Sequence, residues 1–406
     1  MKLYGYQEKV VVEALEILRE NQIVCLSLGM RLGKTFISLA LAKEKGDRIL
    51  FVTKKKAIPS ILEDAAKVGV EITCVNYESL HKLSEDSFDV IIVDECHSVS
   101  AYPKPSKRTK LLGEIFSKNK DCWAIMLSGT FSVESMSQHF HILRVTGKFW
   151  TEYKNFYAWF KDFGIVEQIR VAGRSVNTYW NTKDTVLRAI EHLFVALTQK
   201  EAGFSVETSV VDIRLANEGI SAFCKKFQRD CVAEMEDYSI VGESAAAVLS
   251  KCLQVCGGTV IGDDEMGHIL DFSYSKVEFI ETLEYSKICI FTNFIHERTL
   301  LCNELTDFTL DMDEFKNGSP KYFIGSLKSY SEGFDLSLVK DCCLVLYSLC
   351  WSGSSFTQIC DRQQNKNRVD EIKIYCPLIK DTPEIQLFEA VSNKKNFNNS
   401  FYNLVR

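Results

Sequence analysis

A short apolar run followed at once by a glycine-containing loop sharply limits the folds open to this chain. Ile23 to Leu28 has the length and apolar character of a buried strand, and residues 29–35 read GMRLGKT. Thr35 to Ala42 then shows the apolar spacing of a helix. A strand, a tight loop and a helix that begins with Gly-Lys-Thr are typical of a phosphate-binding loop. The segment therefore predicts a nucleotide site, and the alternative is a chance Gly-Lys-Thr at a helix start.

Each residue of this loop has an expected role. Backbone N–H groups of the loop would face phosphate oxygens, Lys34 would neutralise the β- and γ-phosphate charge, and the Thr35 hydroxyl would hold Mg²⁺. The usual pattern asks for glycine at the position of Leu28, but here the glycine comes one place later, and Arg31 stands where many such loops have glycine. The predicted nucleotide-binding loop residues are Gly29, Met30, Arg31, Leu32, Gly33, Lys34 and Thr35.

A second signal is VIIVDECHS, residues 90–98. Four apolar residues predict a buried strand that delivers Asp94 and Glu95 to the carboxyl end of a sheet, where ligands of open α/β sheets bind. Asp94 is placed to order the shell of a magnesium ion, and Glu95 to act as base for an attacking water. His97 is a candidate coupling residue, and its alternative is an ordinary surface histidine.

Apolar runs and amphipathic stretches alternate in both halves of the chain, which predicts the α/β class with mostly parallel sheets flanked by helices. The strand candidates between the two halves and within them are short, for example Trp123 to Leu127, Ser209 to Leu215 and Ile288 to Phe291. The 406 residues exceed what one core supports. An apolar fraction of 46% and only 6 prolines exclude extended disorder and a collagen-like chain.

The phosphate-binding loop, the DECH sequence and several further segments together resemble the conserved motifs of superfamily 2 helicases and translocases. LSGT, residues 127–130, is similar to motif III of that family, which implies coupling roles for Ser128, Gly129 and Thr130. GYQEKVV near the start is similar to the adenine-reading segment, with Gln7 as its glutamine. FVTKKKAIPS is similar to motif Ia, whose residues touch nucleic acid, and this implies Thr53, Lys54, Lys55 and Lys56.

The second half continues the resemblance. ICIFTNF, residues 288–294, is similar to motif IV and SYSEGFDL, residues 329–336, to motif V, while residues 358–368 resemble motif VI. The resemblance implies that Arg362 is an arginine finger, that Gln358 and Arg368 contact nucleotide, and that Gly333 and Asp335 lie near the ribose. A family arginine is replaced by Asn365, beside Lys366. Further implied or charge-based nucleic-acid contacts are Lys107, Arg108, Asn293, Lys328 and Trp351.

Within that superfamily the chain is most similar to Swi/Snf-type translocases of double-stranded DNA, including compact phage-like ones. Trp351 precedes Gln358 by seven residues, as in that group, although Gly353 replaces its proline. The resemblance implies two RecA-like lobes with a helical insertion in the first. The expected domains are lobe 1 over 1–148, the helical insertion and crossing segment over 149–215, and lobe 2 over 216–406. The aromatic stretch 149–163 would either stack on bases or pack a helical protrusion.

The implied activity is an ATP- and Mg²⁺-dependent helicase or translocase on branched or duplex DNA, acting in fork regression or junction branch migration during replication, recombination or repair. Three alternatives stay open: a translocase that displaces DNA-bound proteins, an RNA helicase, and a non-enzymatic scaffold with a decayed motor. The expected partners are double-stranded or branched DNA and replication or recombination proteins, with the chain a monomer or weak oligomer.

Composition limits the cellular setting. The net charge of −6 argues against a protein that coats nucleic acid everywhere, but local basic runs allow a focused groove. The fifteen cysteines are scattered in apolar runs with no CxxC, which favours reduced, packed thiols and no zinc. The absence of a long apolar run or signal-peptide pattern predicts no membrane partner and a cytoplasmic protein of a bacterial or phage-infected cell, or a nuclear one.

Overall fold

A computed structural model of the chain describes most residues, in segments with short gaps. The described residues are 3–83, 87–129, 131, 135–171, 174–206, 208–271, 274–330, 336, 339–350, 356, 359–360, 363–364, 368 and 370–404. The chain forms two compact units, one of residues 1–203 with 396–406 and one of residues 204–395.

Unit 1 is an α/β unit built on a six-stranded sheet, with a separate two-stranded hairpin. Its helices are α1 (Gly5–Asn21), α2 (Lys34–Lys43), α3 (Ile58–Val68), α4 (Lys107–Lys118), α5 (Gln138–Arg144), α6 (Phe156–Phe163) and α7 (Thr185–Ile190). Its strands are β1 (Ile23–Leu28), β2 (Ile49–Thr53), β3 (Thr73–Asn76), β4 (Val90–Val93), β5 (Trp123–Ser128), β6 (Glu167–Val171), β7 (Arg174–Thr178) and β8 (Phe194–Leu197). Short 3-10 helices cover Lys55–Ala57, Tyr77–Lys82, Cys96–Val99 and Glu191–Leu193.

The sheet of unit 1 has the order β3-β2-β4-β5-β1-β8 and is parallel throughout. Every residue of β1, β2, β4 and β5 is buried, as expected for a parallel sheet covered by helices on both faces. Because the strands are parallel, their carboxyl ends lie along one edge. The loops after β1, β5 and β4 therefore emerge side by side.

Unit 2 repeats this plan. Its helices are α8 (Glu218–Asp230), α9 (Ala245–Cys256), α10 (Ser275–Glu281), α11 (Ile295–Glu304), α12 (Met312–Asn317), α13 (Leu327–Tyr330) and α14 (Pro383–Leu404). Its strands are β9 (Thr208–Leu215), β10 (Val232–Glu234), β11 (Ser239–Val241), β12 (Thr259–Ile261), β13 (Gly267–Ile269), β14 (Lys287–Thr292), β15 (Phe308–Thr309), β16 (Tyr322–Ser326), β17 (Cys342–Leu346) and β18 (Ile372–Ile379). The main sheet, β15-β16-β14-β17-β18-β9, is parallel throughout.

These two sheets confirm the predicted α/β class with two RecA-like lobes. The segment predicted as a helical insertion and crossing, 149–215, contributes to both units. It contains α6 and α7, but also the antiparallel hairpin β6–β7, the sheet strand β8 of unit 1 and the edge strand β9 of unit 2. The strand β9 corresponds to the strand candidate Ser209 to Leu215, whereas the hairpin β6–β7 and the strand β8 are not among the predicted elements; β8 completes the first sheet beside β1.

The aromatic stretch packs inside unit 1. Trp150, Phe156, Trp159 and Phe160 are buried in the same core cluster as the sheet residues, with ring centroids of neighbours 5.1–5.6 Å apart for Trp150–Trp159, Phe156–Trp159 and Phe156–Phe160. Aromatic burial of this kind is a large stabilising contribution. Of the two expectations for this stretch, packing is the one observed for these four rings.

The cysteines and helices of the described chain add two facts. The fifteen cysteines are free thiols, and most of them are buried in the cores. None of the helices in the described part of the chain has the length and apolar character needed to span a bilayer.

Candidate functional site

The glycine-containing loop joins β1 to α2 in the arrangement that the sequence predicts. Gly33 precedes the helix with a φ of 78°, a left-handed conformation that glycine adopts at little cost, and no side chain caps the first turn. Gly33, the residue that caps α2, therefore offers no side chain to the N–H groups of the first turn. A helix start of this kind, beside a lysine, is suited to bind phosphate oxygens.

Lys34 lies between the ends of two neighbouring strands. Its Nζ donates to the carbonyl oxygens of Leu28 at 3.1 Å and Gly29 at 3.2 Å. A methyl group added at Gly129, just after β5, would stand 3.7 Å from the same Nζ. The ammonium group is thus held at the carboxyl edge of the sheet, at the centre of the loop that it would serve.

Two side chains from outside the loop hold it in shape. Gln7 of α1 donates from Nε2 to the carbonyl of Leu32 at 3.0 Å, and its Oε1 accepts from the N–H of Tyr4 at 3.0 Å. Gln199 donates from Nε2 to the carbonyl of Met30 at 3.0 Å. The side chain of Gln7 is buried against the loop, so the structure places this predicted adenine reader as a brace of the loop.

Sequence reasoning missed Gln199. A Cβ added at Gly29 would lie 3.3 Å from the Cγ of Gln199, and the N–H of Gly29 donates to the carbonyl of Leu197 at 2.9 Å. The loop therefore needs both β8 and the residues that follow it. Gln199 lies in the segment ALTQKEAG, residues 196–203, which is far from the loop in the sequence. No local pattern in that segment predicts this contact.

Arg31 explains the departure from the usual loop pattern. Its φ is 62°, in the left-handed region that glycine favours, and an ordinary residue there carries strain of about 1–2 kcal/mol. The position that commonly has glycine thus keeps the backbone shape of glycine. Strain of this sort is characteristic of functional loops, where the surrounding contacts hold it in place.

Asp94 follows the buried strand β4 and accepts a hydrogen bond from Thr53. The Thr53 hydroxyl donates to Asp94 Oδ2 at 2.9 Å, and the Tyr77 hydroxyl donates to the Asp94 carbonyl at 2.5 Å. Burial and the negative charge of Glu95 raise the pKa of Asp94 to about 6. The side chain of Thr53, a predicted nucleic-acid contact, is buried, and its hydroxyl orients Asp94. Its contact with nucleic acid stays a prediction.

Glu95 is held by His97. Its Oε2 lies 3.2 Å from His97 Nδ1, and its backbone has a φ of 50°, again in the left-handed region. Burial acts to raise the pKa of Glu95, but the hydrogen bond and charge of His97, with the charges of Lys34 and Lys54, lower it to about 2. The carboxylate is therefore ionised at neutral pH, which a general base requires.

His97 also reaches the end of the neighbouring strand. The same Nδ1 lies 3.3 Å from the hydroxyl oxygen of Ser128, the last residue of β5. The structure thus brings Ser128 next to Glu95 and His97, although Ser128 is 31 residues from His97 in the sequence. His97 and Ser128 are two of the predicted coupling residues, and Glu95 is the predicted base.

Oxygen ligands for a magnesium ion are available from the predicted pair, Thr35 and Asp94. Hydroxyl and carboxylate oxygens suit this hard cation, and the half-buried Asp94–Glu95 pair concentrates negative charge that a cation would balance. No group of three histidine, cysteine or acidic side chains within the described residues is arranged to hold a metal by itself. The donor set fits an ion shared with bound phosphates better than a closed protein site.

The predicted nucleic-acid contacts of unit 1 lie on its surface. Lys55 and Lys56 are exposed in the 3-10 helix after β2, Lys54 is half-buried, and Lys107 and Arg108 are exposed at the start of α4. Arg108 forms an ion pair with Glu78, and its guanidinium lies 5.9 Å from the ring centroid of Tyr77.

Three predicted residues of unit 2 are described. Asn293 follows β14, and its N–H donates to the Ser348 hydroxyl at 2.7 Å. Lys328 is exposed on α13. Arg368 is buried and donates to the carbonyl oxygens of Gln363 at 3.2 Å and Asp370 at 3.3 Å, so its guanidinium holds the local backbone. Six predicted residues lie outside the described residues: Thr130, Gly333, Asp335, Trp351, Gln358 and Arg362.

Comparison with known proteins gives a structural neighbour but no family. No family model matches the chain, and no curated protein matches it. Among solved structures, the chain is similar to the Sulfolobus solfataricus SWI2/SNF2 ATPase core in complex with dsDNA, at 17% identity and a TM-score of 0.46. The match covers 98% of this chain and 92% of that chain. A similarity of this degree carries no argument about substrate or partner.

Proposed function

We propose that this chain is an ATP-dependent translocase or helicase that acts on branched or duplex DNA. The observation that carries the proposal is the edge of the first sheet. There Lys34, the pair Asp94–Glu95 and the link from His97 to Ser128 come from three strands, β1, β4 and β5, that stand side by side. Phosphate binding, a half-buried acid pair and a link between their strands are the parts that an NTP-hydrolysing motor needs.

Each residue has a role in hydrolysis. The loop N–H groups and Lys34 would bind the β- and γ-phosphates, and Glu95 would take the proton of the attacking water. Thr35 and Asp94 would hold Mg²⁺, which neutralises phosphate charge when it is bound. Thr53 orients Asp94 and His97 orients Glu95, so neither carboxylate is free to rotate away from the phosphates.

Coupling to DNA is proposed to pass through His97 and Ser128. The imidazole contacts both the proposed base and the end of β5. A change in the position of Glu95 when the γ-phosphate leaves would therefore alter the contact with Ser128 and the residues that follow it. Lys54, Lys55, Lys56 and Lys107 would contact DNA phosphates. Because such contacts carry no sequence information, binding should tolerate any sequence and weaken steeply with salt.

ATP hydrolysis tests the proposal directly. The rate would be measured without nucleic acid and with single-stranded DNA, duplex DNA, a four-way junction or RNA. We expect duplex or junction DNA to stimulate hydrolysis, and Lys34→Ala and Glu95→Gln each to lower kcat by about 10²-fold or more. The matched control is Lys43→Ala, an exposed lysine in the last turn of the same helix α2, which should leave the rate unchanged.

The other outcomes contradict the proposal in distinct ways. Stimulation by RNA alone would make the chain an RNA helicase. Stimulation by duplex DNA with no movement of a junction, but with displacement of a bound protein, would replace branch migration by protein displacement. No hydrolysis with any nucleic acid would favour a scaffold. Full activity of Glu95→Gln would remove Glu95 as the base.

The roles in fork regression and branch migration, and the roles of Arg362, Gln358, Gly333, Asp335 and Trp351, remain predictions from sequence. Arg362→Ala in the same ATPase measurement would test the first of them. An arginine finger contributes about 10³-fold or more to the rate, so a smaller loss would argue against that role.

A further inference from the structure

Unit 1 carries a second cavity that the proposed ATP site does not use. Its volume is about 460 Å³, and it lies among α4, α5, the segment before α4 and the start of α6. This size is within the range of sites that bind a compact ligand or one bulky side chain. Its interior is apolar and mostly aromatic: Pro103, Pro105, Phe116, Phe140, Phe156 and Tyr157.

Basic side chains surround this cavity. Lys104, Lys110, Arg144 and Lys154 line it, and no acidic residue is among its lining residues in the described part of the chain. Lys104, Lys110 and Lys154 are exposed, and Arg144 is half-buried. Within the described residues none of the four forms an ion pair. Four uncompensated positive charges around an apolar interior favour an occupant with negative charge outside and an apolar group inside.

The polar groups of the lining are already used by the protein. The Thr109 hydroxyl donates to the Val99 carbonyl at 3.0 Å, the Ser117 hydroxyl to the Glu114 carbonyl at 2.7 Å, and His141 Nε2 lies 3.2 Å from the Pro103 carbonyl. Asn155 Oδ1 accepts from the N–H of Ala158 at 3.0 Å as the cap of α6. Little remains to read the edge of a base or a sugar, both of which need directed hydrogen bonds.

We propose that this cavity binds an acidic peptide segment of a partner protein through one bulky aromatic or branched apolar side chain. The apolar side chain would fill the space above Phe140 and Phe156, and the flanking acidic residues would lie against Lys104, Lys110, Arg144 and Lys154. An apolar anchor inside a rim of opposite charge is the usual composition of a specific peptide site. A nucleic-acid backbone matches the rim but offers no group for the apolar interior.

This proposal does not rest on the proposed motor function, because none of its residues belongs to the ATP site. The probe is a short fluorescein-labelled peptide of aspartate and glutamate with one central tryptophan. Its fluorescence anisotropy is followed as the full chain is added. Three competitor probes are the same peptide with serine for tryptophan, the same peptide with lysine for every acid, and a single-stranded oligonucleotide.

Two kinds of variant locate the site. Lys110→Glu and Lys154→Glu each reverse one rim charge, and each is expected to weaken binding by roughly tenfold, since an exposed attraction becomes a repulsion. Lys161→Glu is the matched control: it makes the same charge change on the exposed side of α6, outside the cavity, and should alter affinity little. Gly113→Leu fills the cavity, because a Cβ there lies 3.6 Å from Val145, another lining residue.

The outcomes separate the possibilities. Binding that needs both tryptophan and the acids, and that is lost in Gly113→Leu and weakened in Lys154→Glu, supports the proposal. Equal binding of the serine peptide, or equal loss in Lys161→Glu, overturns it in favour of unspecific charge attraction. A further outcome is that the oligonucleotide displaces the labelled peptide while the altered peptides bind as tightly as the original one. That result identifies a nucleic-acid surface and also overturns the proposal. The rate of ATP hydrolysis by Lys154→Glu is measured separately, because that rate tests the proposed motor and not the peptide site.

Discussion

A buried ion pair in unit 2 allows a sharp test of the structure. Lys276 of α10 donates from Nζ to Glu384 Oε1 at 2.6 Å and to the Tyr347 carbonyl at 2.8 Å. Glu384 Oε2 accepts from the N–H of Ile379 at 3.0 Å. The two side chains are 1% and 2% exposed, so water compensates neither charge. This pair therefore joins α10, the end of β17, the end of β18 and α14.

Lys276→Met should lower the free energy of unfolding of unit 2 by about 3–5 kcal/mol. The variant keeps most of the side-chain volume but leaves the Glu384 carboxylate buried without its cation, and an uncompensated buried charge is costly. Replacing both partners, as in Lys276→Met with Glu384→Leu, should cost less than the two single changes together. A coupling free energy of about 2 kcal/mol or more in this double-mutant cycle is expected.

The measurement is denaturant-dependent hydrogen exchange, read separately on peptides from each unit, because two units need not unfold in one step. Arg48→Met is the matched control. It removes the cation of an ion pair with Asp89 whose side chains are 60% and 25% exposed, where solvent screening leaves little net stabilisation. A loss in Lys276→Met no larger than that in Arg48→Met would refute the reasoning, as would an effect confined to unit 1.

Three further predictions concern unit 1. Gly113→Ala should raise the unfolding free energy by about 1 kcal/mol, because this glycine is inside α4 and a Cβ would make an ordinary 3.6 Å contact with Val145. Thermal denaturation measures the change, and a lower unfolding free energy in the variant would contradict the packing. Burial lowers the pKa of His139 to about 4. Between about pH 6.5 and pH 4 the imidazole is therefore protonated in the unfolded chain but neutral in the folded chain. The contribution of His139 to the unfolding free energy should fall by about 2 kcal/mol from pH 7 to pH 5, so the difference in unfolding free energy between the unsubstituted chain and His139→Phe should change by that amount. Gln199→Ala, which removes the brace on Met30, should raise the KM for ATP severalfold more than it lowers kcat, and an unchanged KM would show that the loop keeps its shape without it.

The main-sheet strands were the most predictable part of this fold. Ile23–Leu28 and Val90–Val93 have the bounds expected from sequence, and Trp123–Ser128 differs by one residue. These strands are short, almost entirely apolar and buried on both faces, so the pattern of side chains itself marks where they begin and end. The small hairpins β6–β7, β10–β11 and β12–β13 were not predicted. Most of β6–β7 is exposed, and the strands of the other two hairpins are only three residues long, too short to show a clear period of two.

Helix ends depended on local detail that apolar spacing does not contain. The apolar spacing of Ala222 to Met235 in the sequence predicts a helix over those residues, but α8 begins at Glu218 and ends at Asp230. The Asn217 side chain caps the start by accepting from the N–H of Ile220, and Cys231 stops the helix in a left-handed conformation with a φ of 60°. The residues that follow then pair as β10 with β11.

Some residues of the candidate site could be predicted from nearby sequence, and others depend on contacts between distant segments. Lys34, Asp94 and Glu95 lie in short segments whose own sequence fixes a strand, a turn and the side chain at its end. Thr53 and Gln199 act through contacts that only the folded sheet creates, since β2 must lie beside β4, and β8 beside β1, before either hydroxyl or amide has a partner. Because Thr53 orients the acid and Gln199 shapes the loop, the residues that position the chemistry here are encoded by strand order, and the residues that perform it by motif.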